Sequence, residues 1–304
     1  MSLTVVGTVG VDSIYTASGS AENVLGGSVS YFALAASYFT HVNVVSIIGT
    51  DLDENALAQL RRSNIDTSGI TPVQGSTFRW GGRYHEDMNH RETLYTELGT
   101  LAEFQPVVPE QFQNCDVLFL ANLTPLVQLS VLKQTKARLR ALDTMNFWIE
   151  SARQDLVEVM RLVDIVIIAE DELRQFAGVQ NLRQAARAVF DLGPNILVVK
   201  MGSYGSALLT AAGDYFTTAA FPIAEAIDPT GAGDSFAGGF LGYIAEQLEL
   251  TGEMQLKTFK QALLYGSCLG AFACEGFGLS GFDRLSKPDI ANRYRDLQEI
   301  THIQ

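Results

Sequence analysis

The sequence predicts a doubly wound α/β fold, and three observations point to it. Short apolar runs rich in β-branched residues alternate with helix-patterned stretches. Four of those runs are apolar nearly throughout, as strands buried on both faces of a parallel sheet must be. No tandem repeat, low-complexity tract or Pro/Ser-rich linker interrupts the alternation, so one continuous unit over 1–304 follows. At 47% hydrophobic and 18% charged residues, the chain can bury a large core.

The strand candidates are 3–9, 43–48, 117–121, 140–144, 164–168 and 196–201; the first, third, fifth and sixth are the apolar ones. Helix patterns fall at 28–39, 54–62, 152–162 and 182–192. In such a layer, ligands bind at the carboxyl ends of the strands. One region breaks the pattern. Residues 75–98 are polar and aromatic, with a turn-like Glu86-Asp87-Met88-Asn89 in the middle, and read as an exposed hairpin. With 11–20 it forms a small sheet that covers a site. Phe78, Trp80 and Tyr84 share one face of its first strand, either packing on a partner subunit or roofing the site.

Charge narrows the partners. The 21 Lys and Arg against 34 Asp and Glu give a net charge of −13, which excludes a general binder of nucleic acid or anionic membrane. A small phosphate ligand stays open, because local dipoles can hold it. The first residues read as a strand, not a signal peptide, and no apolar run approaches the ~18 residues of a membrane helix. A soluble cytoplasmic protein is expected. Cys115, Cys268 and Cys274 have no metal-like spacing and form no disulfide framework.

The segment that carries chemistry is DPTGAGDSFAGGF, 228–240. Asp228-Pro229-Thr230 starts a turn. Gly231-Ala232-Gly233 clears three positions for close approach to the backbone. Beyond Asp234, the residues Phe236, Phe240, Ile244 and Leu248 lie four apart, one face of a helix. Amides of Gly231, Ala232 and Gly233 thus sit at a helix N-terminus, where the dipole favours an anion. Asp234 in that first turn is either a helix cap or a base for phosphoryl transfer to a hydroxyl.

This segment resembles the C-terminal signature of the ribokinase-like, or PfkB, carbohydrate kinases. Other parts line up in order over nearly the whole chain. Gly7–Asp12 resembles the first strand ending in a substrate-binding Asp. Leu25-Gly26-Gly27 and its helix resemble the N-terminal Gly-Gly motif, Ile48-Gly49-Thr50-Asp51 the GxD turn, and Lys200-Met201-Gly202-Ser203-Tyr204-Gly205 the nucleotide loop. The resemblance implies a three-layer α/β sandwich with a mainly parallel central sheet and a small β-sheet lid formed by about 11–20 and 75–98. It implies ATP- and Mg²⁺-dependent phosphorylation of a hydroxymethyl group on a sugar-like molecule. Asp234 would be the base, and Gly231, Ala232 and Gly233 the anion hole. Asp12, Gly26 and Gly27 would hold substrate hydroxyls, while Lys200, Gly202, Gly205 and Glu172 would hold the nucleotide. Asp228 and Thr230 lie where some members bind a monovalent cation. No other metal site is assigned: His85 and His90 are five apart, not the four of a helical HExxH.

Three departures stand out. After Gly-Gly the family commonly has an Asn facing the sugar, and this chain reads Ser28-Val29-Ser30-Tyr31. The Asn-x-x-Glu motif appears as Ala169-Glu170-Asp171-Glu172, with the Glu alone. The Asp-x-Asn-x-Arg pattern is here Asp143-Thr144-Met145-Asn146-Phe147-Trp148, with Asn146 kept as a substrate contact. Arg79, Arg83 and Arg91 on the hairpin either form a solvated face or reach the substrate, Arg91 being the candidate. Residues 259–274 pattern as a helix that in the family walls the adenine, and 289–300 as a charged amphipathic helix. A nucleoside kinase, and a sensor that binds without turnover, are the alternative readings. A homodimer through the lid is the expected assembly.

Overall fold

The computed structural model describes residues 2–52, 55–62 and 64–301. The chain opens with strands β1 (Leu3–Val6), β2 (Gly10–Thr16) and β3 (Gly19–Gly26), then helix α1 (Ser28–Ala36). Strands β4 (Val42–Gly49), β5 (Ile65–Val73), β6 (Phe78–Tyr84) and β7 (Arg91–Glu97) follow, with α2 (Glu110–Gln113) and β8 (Asn114–Leu120). Next come α3 (Pro125–Gln134), β9 (Lys136–Asp143), α4 (Asn146–Ser151), α5 (Arg153–Met160), β10 (Ile165–Ala169), α6 (Glu170–Ala177) and α7 (Leu182–Phe190). Strands β11 (Ile196–Lys200), β12 (Ser206–Thr210) and β13 (Tyr215–Thr218) lead to α8 (Ala232–Thr251), α9 (Leu256–Cys274) and α10 (Lys287–Thr301).

Nine strands form the main sheet in the order β13-β12-β11-β10-β9-β8-β1-β4-β5. All neighbours are parallel except β11 with β12 and β12 with β13. Alternate side chains go to opposite faces, which is the pleat at work. Phe119, Ile165, Ile167 and Val198 join a core with α1, α8, α9 and α10. Leu118, Leu120, Val166, Ile168 and Leu197 join a second core with α3, α5, α6 and α7. Two helical layers around a sheet explain why β10 (IVIIA) and residues 117–120 of β8 are apolar at successive positions.

The second sheet has four strands in the order β3-β2-β6-β7. It takes in β3 up to Gly26, beyond the 11–20 expected from sequence. The turn between β6 and β7 falls at 86–89, where the sequence puts it. In register, Asp12 of β2 lies beside Trp80 of β6, so Phe78, Trp80 and Tyr84 share the Asp12 face.

One predicted helix does not form. Glu54, the first residue of the 54–62 helix, lies outside the described residues, and from Asn55 to Arg62 the chain makes turns and one 3₁₀ turn, Ala58–Leu60. Its two buried apolar residues, Leu57 and Leu60, are three apart, the 3₁₀ repeat. The helix at 152–162 is shorter, Arg153–Met160, and Ala152 breaks it from α4. Strand β5 escaped the sequence reading because it carries Gly69 and Pro72; it is an edge strand, where Pro is tolerated.

Candidate active site

Helix α8 starts from Gly231, whose φ of 73° is left-handed and suits glycine. A Cβ there would also lie 2.2 Å from the Tyr31 ring. Asp234 stands in the first turn of α8. Its pKa is pushed up to about 7, first by burial and then by Asp143, against the pull of Lys200; Asp12 adds to the rise and Arg91 opposes it. A carboxylate poised near neutrality suits a general base. The expected cradle is narrower than three amides. The Ala232 amide donates to Pro229 O at 3.2 Å, whereas those of Gly231 and Gly233 have no acceptor among the described residues.

Lys200 ends β11 and donates to Asp143 Oδ2 at 2.8 Å. A Cβ on Gly233 would lie 3.3 Å from Lys200 Nζ, so glycine there leaves room for the ammonium. Burial pulls the Lys200 pKa down, but Asp143, Glu172 and Asp234 together leave it raised. Glu172 Oε2 accepts from the Ala169 amide at 2.9 Å, closing the first turn of α6. Burial pushes Glu172 up to about 7, with Lys200 lowering it and Asp143 raising it. Asp143 was visible in sequence only as part of an imperfect pattern. The parallel order β9-β10-β11 brings Asp143, Glu172 and Lys200 to one end of the sheet.

The other end of the site lies under the small sheet. Asp12 is buried, and its pKa rises to about 7, from burial first and Asp228 second, while the Gly27 amide opposes the rise. A Cβ on Gly26 would sit 1.9 Å from Asp12 Oδ2, and one on Gly27 would sit 2.4 Å from Thr8 O. The Gly-Gly pair therefore makes room for the Asp12 carboxylate and for the turn into α1. Asp228 accepts from Thr230 N at 2.8 Å and Gly278 N at 2.9 Å. Thr230 Oγ1 and Tyr84 OH are 3.2 Å apart, which ties the small sheet to the start of α8.

The three hairpin arginines separate. Arg79 pairs with Asp51 at 3.0 Å, and Arg83 lies over the Tyr15 ring. Only Arg91 turns toward the site: it stacks on Trp80, and its charge acts on Tyr84 and Asp234. Asn146 is exposed at the start of α4, where its Oδ1 accepts from the Phe147 amide at 2.9 Å. In the nucleotide loop, Gly205 is set by the fold: a Cβ would lie 2.0 Å from Thr218 O. Gly202, at φ 56°, faces Asn89 of the hairpin turn. Tyr31 is buried with its ring against Gly231, and the charges of Asp12 and Asp234 act on it.

The comparisons establish the family and the fold. A model of the pfkB family of carbohydrate kinases matches residues 5–283. The chain is 31% identical over 251 residues to the cytidine kinase of Thermococcus kodakarensis, covering 80% of this chain and 88% of that one. It is similar in structure to a ribokinase from Giardia lamblia, at TM-score 0.82 and 17% identity over 98% of this chain and 99% of that one. An E. coli protein provisionally called ribokinase II, solved with ATP and Mg²⁺, superposes at TM-score 0.79 and 18% identity over 97% and 99%.

Proposed function

This chain belongs to the pfkB family of carbohydrate kinases, and on that premise we propose that it moves the γ-phosphoryl group of ATP to a hydroxymethyl group of a sugar or nucleoside. The observation that carries the reading is Asp234 at the start of α8, raised to about 7 beside Lys200. Asp234 takes the proton as the acceptor oxygen attacks the phosphorus in line. The Gly231 and Gly233 amides and the α8 dipole take up charge on the moving group. Lys200 turns from Asp143 toward the phosphate. Positioning and electrostatics supply most of the rate.

Magnesium arriving with the nucleotide neutralises phosphate charge, and the hard oxygens of Asp143 and Glu172 are the ones that would hold it. The nucleotide lies along Gly202 and Gly205. A monovalent cation near Asp228 and Thr230 would draw on the lone pairs that the amide-bonded Asp228 oxygens keep. Asp12, Gly26 and Gly27 form the acceptor end, with Arg91 at its rim; Asn146 would have to turn from its own helix to reach it.

Within the family, a nucleoside acceptor has a specific observation in its favour. Phe78, Trp80 and Tyr84 lie on the Asp12 face of the small sheet, which offers a flat base a stacking surface. Of two relatives at 31% and 30% identity over most of this chain, one is a cytidine kinase and the other a 2-dehydro-3-deoxygluconokinase. A sensor without turnover fits less well, because a carboxylate tuned to neutrality is of use to chemistry, not to binding. The test is an ADP-release screen with ATP–Mg²⁺ against D-ribose, hexoses, sugar acids and cytidine. Turnover supports the kinase reading; saturable binding without ADP release supports the sensor.

A dimer through the lid belongs to the same proposal. Strand β7 is an exposed edge that shows Leu94 and Tyr95 to solvent. Sedimentation of the protein against a Leu94→Lys variant decides it. Among the described residues, no helix is long and apolar enough to cross a membrane.

A further inference from the structure

Helix α3 is the crossover between β8 and β9, and it packs into the second core through Val127 and Val131. Gln128 lies among those buried residues and is 1% exposed. Burying an amide is costly unless it is bonded. This one bonds the two strands that α3 connects. The ladder between β8 and β9 ends at Leu120 and Leu142. One residue further on, Gln128 Nε2 donates to Ala121 O at 2.9 Å and to Asp143 O at 3.2 Å. Both partners are carbonyls, so only the nitrogen end of the amide can face them. The side chain adds a rung where the strands stop bonding each other. Methionine has the same length and would fill the space without burying a polar group, so packing alone gives no reason for glutamine here.

We infer that Gln128 is a positioning residue for the nucleotide end of the site: it pins the Asp143 main chain, and through the Asp143 carboxylate it sets where the Lys200 ammonium stands. The chain of contacts is continuous. Gln128 holds the Asp143 carbonyl, the Asp143 Oδ1 accepts from the Thr144 amide at 2.9 Å, and the Oδ2 accepts from Lys200 Nζ at 2.8 Å. Lys200 Nζ in turn lies 3.3 Å from where a Cβ of Gly233 would be, beside the first turn of α8. Asp143 is the last residue of β9 and pairs in register with Ile167 of β10 alone, so its β8 side has the Gln128 amide in place of a strand neighbour. An ammonium held in place before the nucleotide arrives loses less freedom on binding it. This rests on the reading of Lys200 as a nucleotide-phosphate group and adds a residue that acts through Asp143, not on the ligand.

The experiment is a double-mutant cycle on ATP–Mg²⁺ affinity, measured by calorimetric titration without acceptor. It compares the parent, Gln128→Met, Lys200→Met and the double variant. Gln128→Met should weaken ATP–Mg²⁺ binding about three- to tenfold, the size of one net hydrogen bond. In the Lys200→Met background the same substitution should cost less than about twofold, because the ammonium it positions is gone. Val131→Ala, at another buried position of α3, is the control for a purely structural effect. It opens a cavity and lowers the melting temperature, and leaves ATP–Mg²⁺ affinity alone. If Gln128→Met does not fold, Gln128→Glu takes its place in the cycle: a carboxyl group has at most one proton to give and serves at most one of the two carbonyls. Unchanged affinity in the Gln128 variant overturns the proposal. A loss that recurs in full in the Lys200→Met background overturns it too, because Gln128 would then serve the fold and not the ammonium. Unchanged affinity in Lys200→Met itself is a separate result: the nucleotide reading of Lys200 fails, and the route from Gln128 through Lys200 falls with it.

Discussion

The two ends of the site are built on opposite plans. At the nucleotide end, the charged groups hold one another: Lys200 is on Asp143, Glu172 closes the turn of α6, and Asp234 stands in their field. At the acceptor end, the Asp12 carboxylate is crowded between glycines, and Tyr31 has a hydroxyl with nothing to bond. In the proposed function the first arrangement suits a highly charged ligand and the second an uncharged one, so a polyanion and a polyol would be held by separate parts of the site.

Removing the base should have the largest effect. Asp234→Asn should lower kcat by about 10²–10⁴-fold with the KM for ATP little changed, the usual size of general-base catalysis. Near-normal turnover in a coupled ADP assay would show that the proton leaves by another route. Next comes the crowded end. Gly26→Ala drives a methyl into Asp12 Oδ2, and a shift of about 1 Å in a positioning group can cost about 10²-fold. The loss should fall on kcat/KM for the acceptor. An equal loss in the KM for ATP would mean that the two ends are not separate.

Lys200→Met tests the nucleotide end. A bond to a charged group contributes about 1.5–3 kcal/mol, so the KM for ATP should rise roughly ten- to a hundredfold while acceptor binding holds. Calorimetric titration of each ligand measures both. The variant also removes a charge that lowers the Asp234 pKa, so the acid limb of the rate profile should move to higher pH.

The smallest effect is on pH. A base with a pKa of about 7 is active when ionised, so kcat/KM should fall about tenfold per unit below pH 7. Stability runs the other way. Asp12, Glu172 and Asp234 have folded pKa values near 7, above their ordinary 3.8 to 4.5. The folded state therefore binds more protons than the unfolded one between about pH 4 and 7, and these groups favour folding more as pH falls through that window. Thermal melts from pH 8 to 5 should show their contribution rising. A monotonic fall in melting temperature over that range would mean the burial of these carboxylates is overstated.

Much of this was legible in the chain itself. The apolar runs at 117–121, 164–168 and 196–201 are strands because only burial on both faces tolerates such runs. The glycines before Asp234 mark the opening of a helix, and Gly231 is left-handed there. The 54–62 helix misled, because a few apolar residues at mixed spacing fit a 3₁₀ turn as well as an α-helix. The second sheet was half legible: its hairpin has turn residues, whereas β3 (GSAENVLG) has too little alternation to declare itself.

The residues of the chain determined the local chemistry: which segment opens a helix on glycines, which carboxylate follows, and which positions cannot carry a side chain. The tertiary structure alone decided the pairings. Asp143 and Lys200 are 57 positions apart, and the sequence holds no trace of their contact, because parallel strands join residues through crossovers whose length carries no record of the partner. It decided, too, that Tyr31 meets Gly231 and that Arg91, not Arg79, faces the site. Those are matters of which surfaces meet, and spacing along a chain cannot encode them.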